Sequence, residues 1–368
     1  MTDAGPRPTV VVVGGGYGGT AAAKALDEIA DVVLVEPRDA FVHNVAALRA
    51  LVDPDWLLRI FLPYDRLLEH GRVVRDRAVR VEEDRVTIAS GDEIPADYVV
   101  LATGSTYPFP AKTNVHDTSE ALERYRLTHE ALAAAKRVLV LGAGPVGLEL
   151  TGEITSAWPD KHVTIVDPAD DIVTGPFDPA LREELHSQLA DRSIELILRS
   201  ALADDPPIAA GTPGAFTVST AAGKEISADI WFRAHGVTPV SNYLGDGLQA
   251  ARTDAGLIEV TRQLRVAGHD RVFALGDIST ADVKMAGRAG RQAEIVAANI
   301  RALIAGESEL ADYEPMPPVI VLPLGPTGGA SQLPGSDVAG AETTAEIKGA
   351  HMFLDRYAEL FGIAATAR

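Results

Sequence analysis

Two periods run through the chain. The stretches TVVVV at 9–13 and DVVLV at 31–35 are short, β-branched and almost wholly apolar. Such runs read as parallel strands covered on both faces. Between them a Gly-rich turn opens an Ala- and Leu-rich helical stretch. The same order returns later, so Pro8–Glu36 and Lys136–Asp167 read as two copies of one strand–turn–helix–strand unit, each ending on an acid. That is the opening of a dinucleotide-binding fold, present twice.

Other elements follow from local patterns. Residues 55–69 predict a partly helical segment with a break at Pro63. Residues 71–101 alternate as short strands, ending in Asp97–Leu101 before Ala102-Thr103-Gly104. Asp178 with Pro179 opens a helix over 178–191, and Ser193–Leu198 follows as a strand. A Pro/Gly loop at 203–214 precedes a hairpin at 215–232. A long helix is predicted over 284–304, then a linker over 305–318, then strands and a helix at about 350–362.

The glycine spacings carry the chemistry. In Gly14-x-Gly16-x-x-Gly19 the first glycine permits the tight turn and the second lets the backbone approach a pyrophosphate. The third lets helix pack on strand. The helix N-terminus, entered through Tyr17 and Gly18, then faces the phosphates with free N–H groups. Glu36 stands about 20 residues further on, where an acid accepts ribose hydroxyls. Gly142-x-Gly144-x-x-Gly147, with Pro145 and Val146 inside it, repeats the arrangement and ends on Asp167. An acid there repels a 2′-phosphate, and the following DPADD run offers no nearby cation, so NADH is favoured over NADPH.

Two nucleotide folds in one chain suggest an electron relay, with one cofactor resident and the other exchanging; flavin suits the resident role. Phe273–Asp277 (FALGD) lies just before the 284–304 helix. It places Asp277 beside the first unit, as a ribitol ligand or as a turn residue. The fold expected is therefore α/β, with two Rossmann-like domains and a small α+β C-terminal domain. The FAD domain takes 1–112 and 252–312, the NAD(H) domain is inserted at 113–251, and the cap takes 313–368.

Composition then narrows the chemistry. The 368 residues carry a net charge of −19, which repels nucleic-acid phosphates and weakens general attraction to anionic membranes. Cysteine is absent, which excludes disulfides, cysteine-held metals and thiol catalysis. The nine histidines show no metal-ligand spacing, and no metal is expected. No apolar run is long enough to span a membrane. Residues 1–9 have no apolar signal core, and Thr2 offers no myristoylation glycine. A cytoplasmic location follows as the expectation, with peripheral contact at the inner membrane face left open.

The chain resembles the two-dinucleotide-domain flavoproteins. Within these it is most similar to the apoptosis-inducing-factor-like and ferroptosis-suppressor quinone reductases, and more distantly to type II NADH dehydrogenases. The resemblance rests on DAFVHNVAALRA at 39–50, LATGSTYPFPAK at 101–112, GAGPVGLELTGEI at 142–154, VFALGD at 272–277 and KMA at 284–286. It implies FAD contacts at Gly14, Gly16, Gly19, Glu36, Arg38, Val79, Ala102, Thr103, Gly104, Lys112, Gly276 and Asp277. His43, Asn44 and Arg49 match positions beside the isoalloxazine. Lys284, Met285 and Ala286 start a helix pointing at the pyrimidine end of the flavin. Gly142, Gly144, Gly147, Glu149, Glu153, Asp167 and Gly236 match the NADH side. Lys348 falls near a family lysine linked to the acceptor region.

Three residues are expected to be catalytic. Glu153 orients nicotinamide or delivers a proton to a quinone. His43 is a proton relay or a flavin contact. Lys348 serves the acceptor. The expected activity is hydride transfer from NADH to FAD, then electron transfer to a quinone-like acceptor. The alternatives are a slow NADH-responsive redox sensor, or a reductase of a redox protein or specialised metabolite. Phe353, Tyr357, Leu360 and Phe361 form one apolar stripe. It packs on the FAD domain or a homodimer partner, or else lines a quinone tunnel or touches a membrane.

Overall fold

The computed structural model describes residues 7–363; the Thr2 position and the start of the expected signal-free segment lie outside the described residues. Two parallel sheets form its centre. The first takes five strands in the order Val272–Ala274, Tyr98–Leu101, Thr9–Val13, Asp31–Val35, Arg72–Val74. The second takes four, in the order Glu195–Ile197, His162–Val166, Arg137–Leu141, Ile230–Arg233. Both are Rossmann-like and share one local plan. The strand leading into a glycine turn is central, and its neighbour ends in the acid.

Register brings those acids to the turns. Val13 pairs with Val35 and Leu141 with Val166. The Gly14 N–H therefore donates to Val35 O at 2.9 Å, and the Gly142 N–H to Val166 O at 2.9 Å. Glu36 and Asp167 are the next residues out. The strands tolerate full burial because they are nearly all β-branched or Leu; Val10, Val11 and Val12 are completely enclosed.

The helices follow in chain order. They are α1 (Tyr17–Leu26), α2 (Ala47–Val52), α3 (Thr118–Ala134), α4 (Pro145–Ala157), α5 (Pro179–Asp191) and α6 (Ala286–Ile304), then a short α7 (Ala341–Thr344) and α8 (Leu354–Leu360). Asp178 caps α5 by accepting from the Ala180 N–H at 2.9 Å, as its place before Pro179 predicts. α1 lies along α6, and at Gly18 a Cβ would stand 2.2 Å from Leu275 Cδ1. The cap is a hairpin, Ile320–Leu324 with Gly328–Gln332, laid against α4 and α5. No helix among the described residues is long and apolar enough to cross a membrane.

Two local expectations are corrected. Residues 55–69 hold no α-helix: 3-10 turns at Pro54–Trp56, Leu58–Ile60 and Tyr64–Arg66 flank a short strand, Phe61–Pro63, paired with Ala40–Val42. Pro63 interrupts helical bonding, and the pairing with a distant strand supersedes the local apolar spacing. The expected helix at about 350–362 is also shorter. A π-helical turn, Ala345–Gly349, precedes two left-handed residues, Met352 (φ 48°) and Phe353 (φ 57°), and α8 begins only after them. Phe353 thus leaves the predicted stripe. Tyr357 and Phe361 turn inward: Phe361 is fully buried, 5.0 Å from Phe41 and 5.8 Å from Tyr64 between ring centres. Of the alternatives for the stripe, these two side chains take packing on the first unit.

Candidate functional site

The two glycine turns are built alike. Gly14 (φ 104°) and Gly142 (φ 119°) adopt conformations that side chains rarely enter, and a Cβ on either would press a backbone carbonyl, that of Ala102 or Ala234. Gly19 and Gly147 let helix meet turn, since a Cβ there would lie 1.8 Å from Gly14 O and 1.9 Å from Gly142 O respectively. Gly16 and Gly144 face open space and stand as the N-caps of α1 and α4 with no side chain closing them. The first-turn amides of both helices are left for an anionic group. Pro145 takes the first position of α4, where its missing N–H costs nothing.

The acids differ in enclosure. Glu36 is buried, accepts from the Gly15 N–H at 2.6 Å and pairs with the Arg38 guanidinium at 3.2 Å. Tyr64, also buried, donates its hydroxyl to Gly15 O at 2.8 Å. Asp167 is only half-buried; it accepts from the Ala143 N–H at 2.6 Å and the Ala169 N–H at 2.7 Å. Val146 is half-buried beside it in sequence at the start of α4.

Around the first turn, Asp277 accepts from Ser105 Oγ at 2.5 Å and pairs with Lys112 Nζ at 3.2 Å. Lys112 also donates to Ser105 O at 2.9 Å. Thr103 Oγ1 donates to Val240 O at 2.6 Å, and the Val240 N–H returns to Gly104 O at 3.0 Å, stitching the crossing between the two sheets. The Gly276 N–H donates to Gln292 Oε1 of α6 at 2.6 Å. α6 starts at Ala286 with Met285 as N-cap and no acid within its first turn, though Asp282 just before it, its side chain buried, pairs with Arg288 at 2.8 Å; Lys284 is exposed. Gly236 (φ 96°) follows the second sheet with open space around its Cα. Val79 stands at the bulge of a small antiparallel sheet with its side chain 40% exposed, and Asn44 begins the 3-10 turn ahead of α2.

The central polar cluster joins three parts of the chain. Arg49 of α2 grips Glu153 of α4, Nε at 2.5 Å and Nη2 at 2.8 Å, and Nη2 also donates to Gly349 O at 2.9 Å. Both side chains are buried. Burial raises the Glu153 carboxyl above the usual range, and the Arg49 charge opposes that rise. Trp56 covers Arg49, its ring centre 5.2 Å from the guanidinium carbon. Lys348 pairs with Glu149 at 2.7 Å. Arg49 thus ties α2 to α4 and to the cap.

His43 is sealed. Met352 O can only accept, so Nε2 carries the proton and donates to it at 2.7 Å; Nδ1 then accepts from the Tyr17 hydroxyl at 3.1 Å. The Tyr17 oxygen in turn accepts from the Val45 N–H at 3.0 Å. Burial, helped by the charge on Lys348, lowers the His43 pKa from 6.5 to about 4. With the ring neutral and both nitrogens engaged, this geometry favours anchoring over proton relay.

Sequence reasoning passed over Tyr64, Tyr243, whose hydroxyl lies 2.8 Å from Thr103 Oγ1, and Trp56. Only Tyr64 left a trace: the first turn reads GGG where the second reads GAG. A Cβ at Gly15 would meet the Tyr64 hydroxyl at 2.6 Å.

A model of the pyridine nucleotide-disulphide oxidoreductase family matches residues 8–293. The chain is 31% identical over 371 residues to apoptosis-inducing factor homolog B of Dictyostelium discoideum, covering 95% of this chain and 96% of that protein. It is 30% identical over 336 residues to ferroptosis suppressor protein 1 of Homo sapiens, covering 89% and 88%. Among solved structures, the sulfide:quinone oxidoreductase of Aquifex aeolicus superposes with a TM-score of 0.75 at 18% identity, covering 98% of this chain and 93% of that one.

Proposed function

The chain belongs to the pyridine nucleotide-disulphide oxidoreductase family and is an NAD(P)H-dependent flavoprotein oxidoreductase; from that premise we propose that it is an NADH:quinone oxidoreductase with resident FAD. One observation carries the reading. A chain with two nucleotide turns and no cysteine has no thiol to receive electrons, so they leave for an external acceptor. The resemblance to quinone reductases makes a quinone the favoured class.

The residues present fit the cofactors, because both turns offer an uncapped helix N-terminus and open space at Gly16 and Gly144. In this reading 1–112 with 252–312 hold FAD, 113–251 hold NADH, and 313–368 close over both. Gly14, Gly16 and Gly19 bind the FAD pyrophosphate through α1, and Glu36 binds its ribose. Asp277, set by Lys112 and Ser105, faces the ribitol. The positive end of α6, entered through Met285, favours negative charge on the ring system. FAD held there would supply the two-electron chemistry, hydride in from nicotinamide and electrons out to the acceptor. Gly142, Gly144, Gly147 and Asp167 bind NADH, and Asp167 disfavours a 2′-phosphate. Glu153 holds its carboxyl against Arg49, ready to orient the nicotinamide amide or hold a proton for the acceptor.

The test is anaerobic stopped-flow. NADH bleaches the flavin much faster than NADPH does, and a soluble quinone reoxidises it at a rate matching turnover. Reduction followed by reoxidation too slow to sustain turnover removes the quinone assignment and favours the sensor.

A further inference from the structure

The segment from Ala345 to Phe353 touches both nucleotide units through hydrogen bonds from widely separated residues. His43 Nε2 of the first unit donates to Met352 O at 2.7 Å. Arg49 Nη2, also of the first unit, donates to Gly349 O at 2.9 Å. Lys348 Nζ pairs with Glu149 of α4, in the second unit, at 2.7 Å. The segment has an unusual backbone, a π-helical turn followed by two left-handed non-glycine residues, Met352 and Phe353. Such conformations persist where surroundings enforce them, and they gather where geometry serves a function. Beyond Phe353, α8 packs Tyr357 on Tyr17, with ring centres 4.9 Å apart. Before Ala345, the cap hairpin lies on α4, where a Cβ at Gly152 would stand 2.4 Å from Leu324 Cα.

We propose that residues 345–353 are a positioning clamp, which fixes the spacing between the flavin and nicotinamide units, and that His43 is a positioning residue acting through Met352. This rests on the proposed hydride transfer. Each glycine turn and its acid lie within one unit, so neither nucleotide needs the clamp to bind. Transfer between two rings does need it, because a misplacement of about 1 Å costs on the order of a hundredfold in rate. His43 supplies an uncharged, fully buried donor to Met352 O and holds the left-handed joint in place. Lys348 ties the same segment to the helix that carries Glu153.

The experiment uses FAD-loaded holoenzyme and three variants, His43→Leu, His43→Gln and Lys348→Met. Flavin content, NAD⁺ affinity, the single-turnover rate of flavin reduction by NADH, and the long-wavelength charge-transfer absorbance are measured. His43→Leu and Lys348→Met keep full flavin and bind NAD⁺ within about twofold, yet reduce about 10- to 100-fold more slowly with weakened charge-transfer absorbance. His43→Gln, whose amide still donates to Met352 O, recovers most of the rate. Unchanged reduction in both His43→Leu and Lys348→Met overturns the clamp, as does slowing that tracks flavin loss alone. Should His43→Leu fail to fold, Lys348→Met decides by the same readings. If wild-type flavin is reduced by neither NADH nor NADPH, the functional reading itself falls, and that result is seen before any variant is compared.

Discussion

The first and second glycine turns share a backbone and differ in what surrounds it. Both bend at a glycine of positive φ, both let helix touch turn at a third glycine, and both lend the amide after the first glycine to an acid. The first is walled in by Tyr64 and by the Arg38-paired Glu36, and it enters α1 through half-buried Tyr17, which packs with buried Phe41 and His43 and half-buried Tyr357. The second enters α4 through an exposed proline, and its acid is half-buried and held by the Ala143 and Ala169 N–H groups. Near-identical turn backbones thus lie in different surroundings. Enclosure, set by residues outside the motif, is what separates them, and under the proposed function it matches a resident ligand at the first and an exchanging one at the second.

The contrast breaks hardest where the two units are tied. Arg49→Met leaves the buried Glu153 carboxylate without its partner and costs about 3–5 kcal/mol of stability, read as a fall in urea midpoint. Replacing both residues by Met recovers most of the loss. A double variant no more stable than Arg49→Met would refute the unpaired-charge account.

The enclosed unit also responds to pH. His43 has a folded pKa of about 4 against 6.5, so between those values the unfolded state binds more protons and stability rises with pH. The shift corresponds to about 3 kcal/mol, present above pH 6.5 and lost on acidification toward pH 4. Urea titrations of His43→Gln lose a pH-dependent stability change of that size across the range; an unaltered pH dependence excludes His43 as its source.

Exchanging the residue after the first glycine sharpens the comparison. Gly15→Ala copies the second turn into the first, where its Cβ meets the Tyr64 hydroxyl and lies 2.9 Å from Glu36 Cγ. It costs about 1–3 kcal/mol and lowers flavin occupancy, and adding Tyr64→Phe restores part of both. The reverse change, Ala143→Gly, costs under about 1 kcal/mol. Equal losses from the two exchanges would remove the distinction. The smallest effect is on selectivity: Asp167→Ser raises the NADPH-to-NADH ratio of kcat/KM by about tenfold without altering flavin content. An unmoved ratio takes Asp167 out of ribose recognition.

What the sequence made legible was local. The glycine turns and their acids lie within single units whose strands pair in one register, so motif and structure share a scale. The boundaries of α5 and α6 came from Pro179 and from apolar spacing. The partners of Arg49 did not: Glu153 and Gly349 reach it from other regions of the chain, and no local pattern encodes that meeting. Tyr64 fell in a stretch that reads as partly helical, just past its expected break at Pro63, and folds as 3-10 turns around a strand. The left-handed pair at Met352–Phe353 was hidden because neither residue type favours that conformation; it is imposed by what the segment touches.

The first sheet has a consequence for biosynthesis. Its edge strand, Val272–Ala274, leaves the ribosome after every strand of the second sheet, whose last is Ile230–Arg233. Domains condense as units while the nascent chain lengthens. The second unit, though later in the message, is thus the first able to complete its sheet, while the first unit waits open for a strand encoded on the far side of it. The segment Ala345–Phe353, which bonds to both units, emerges only after both sheets have all their strands.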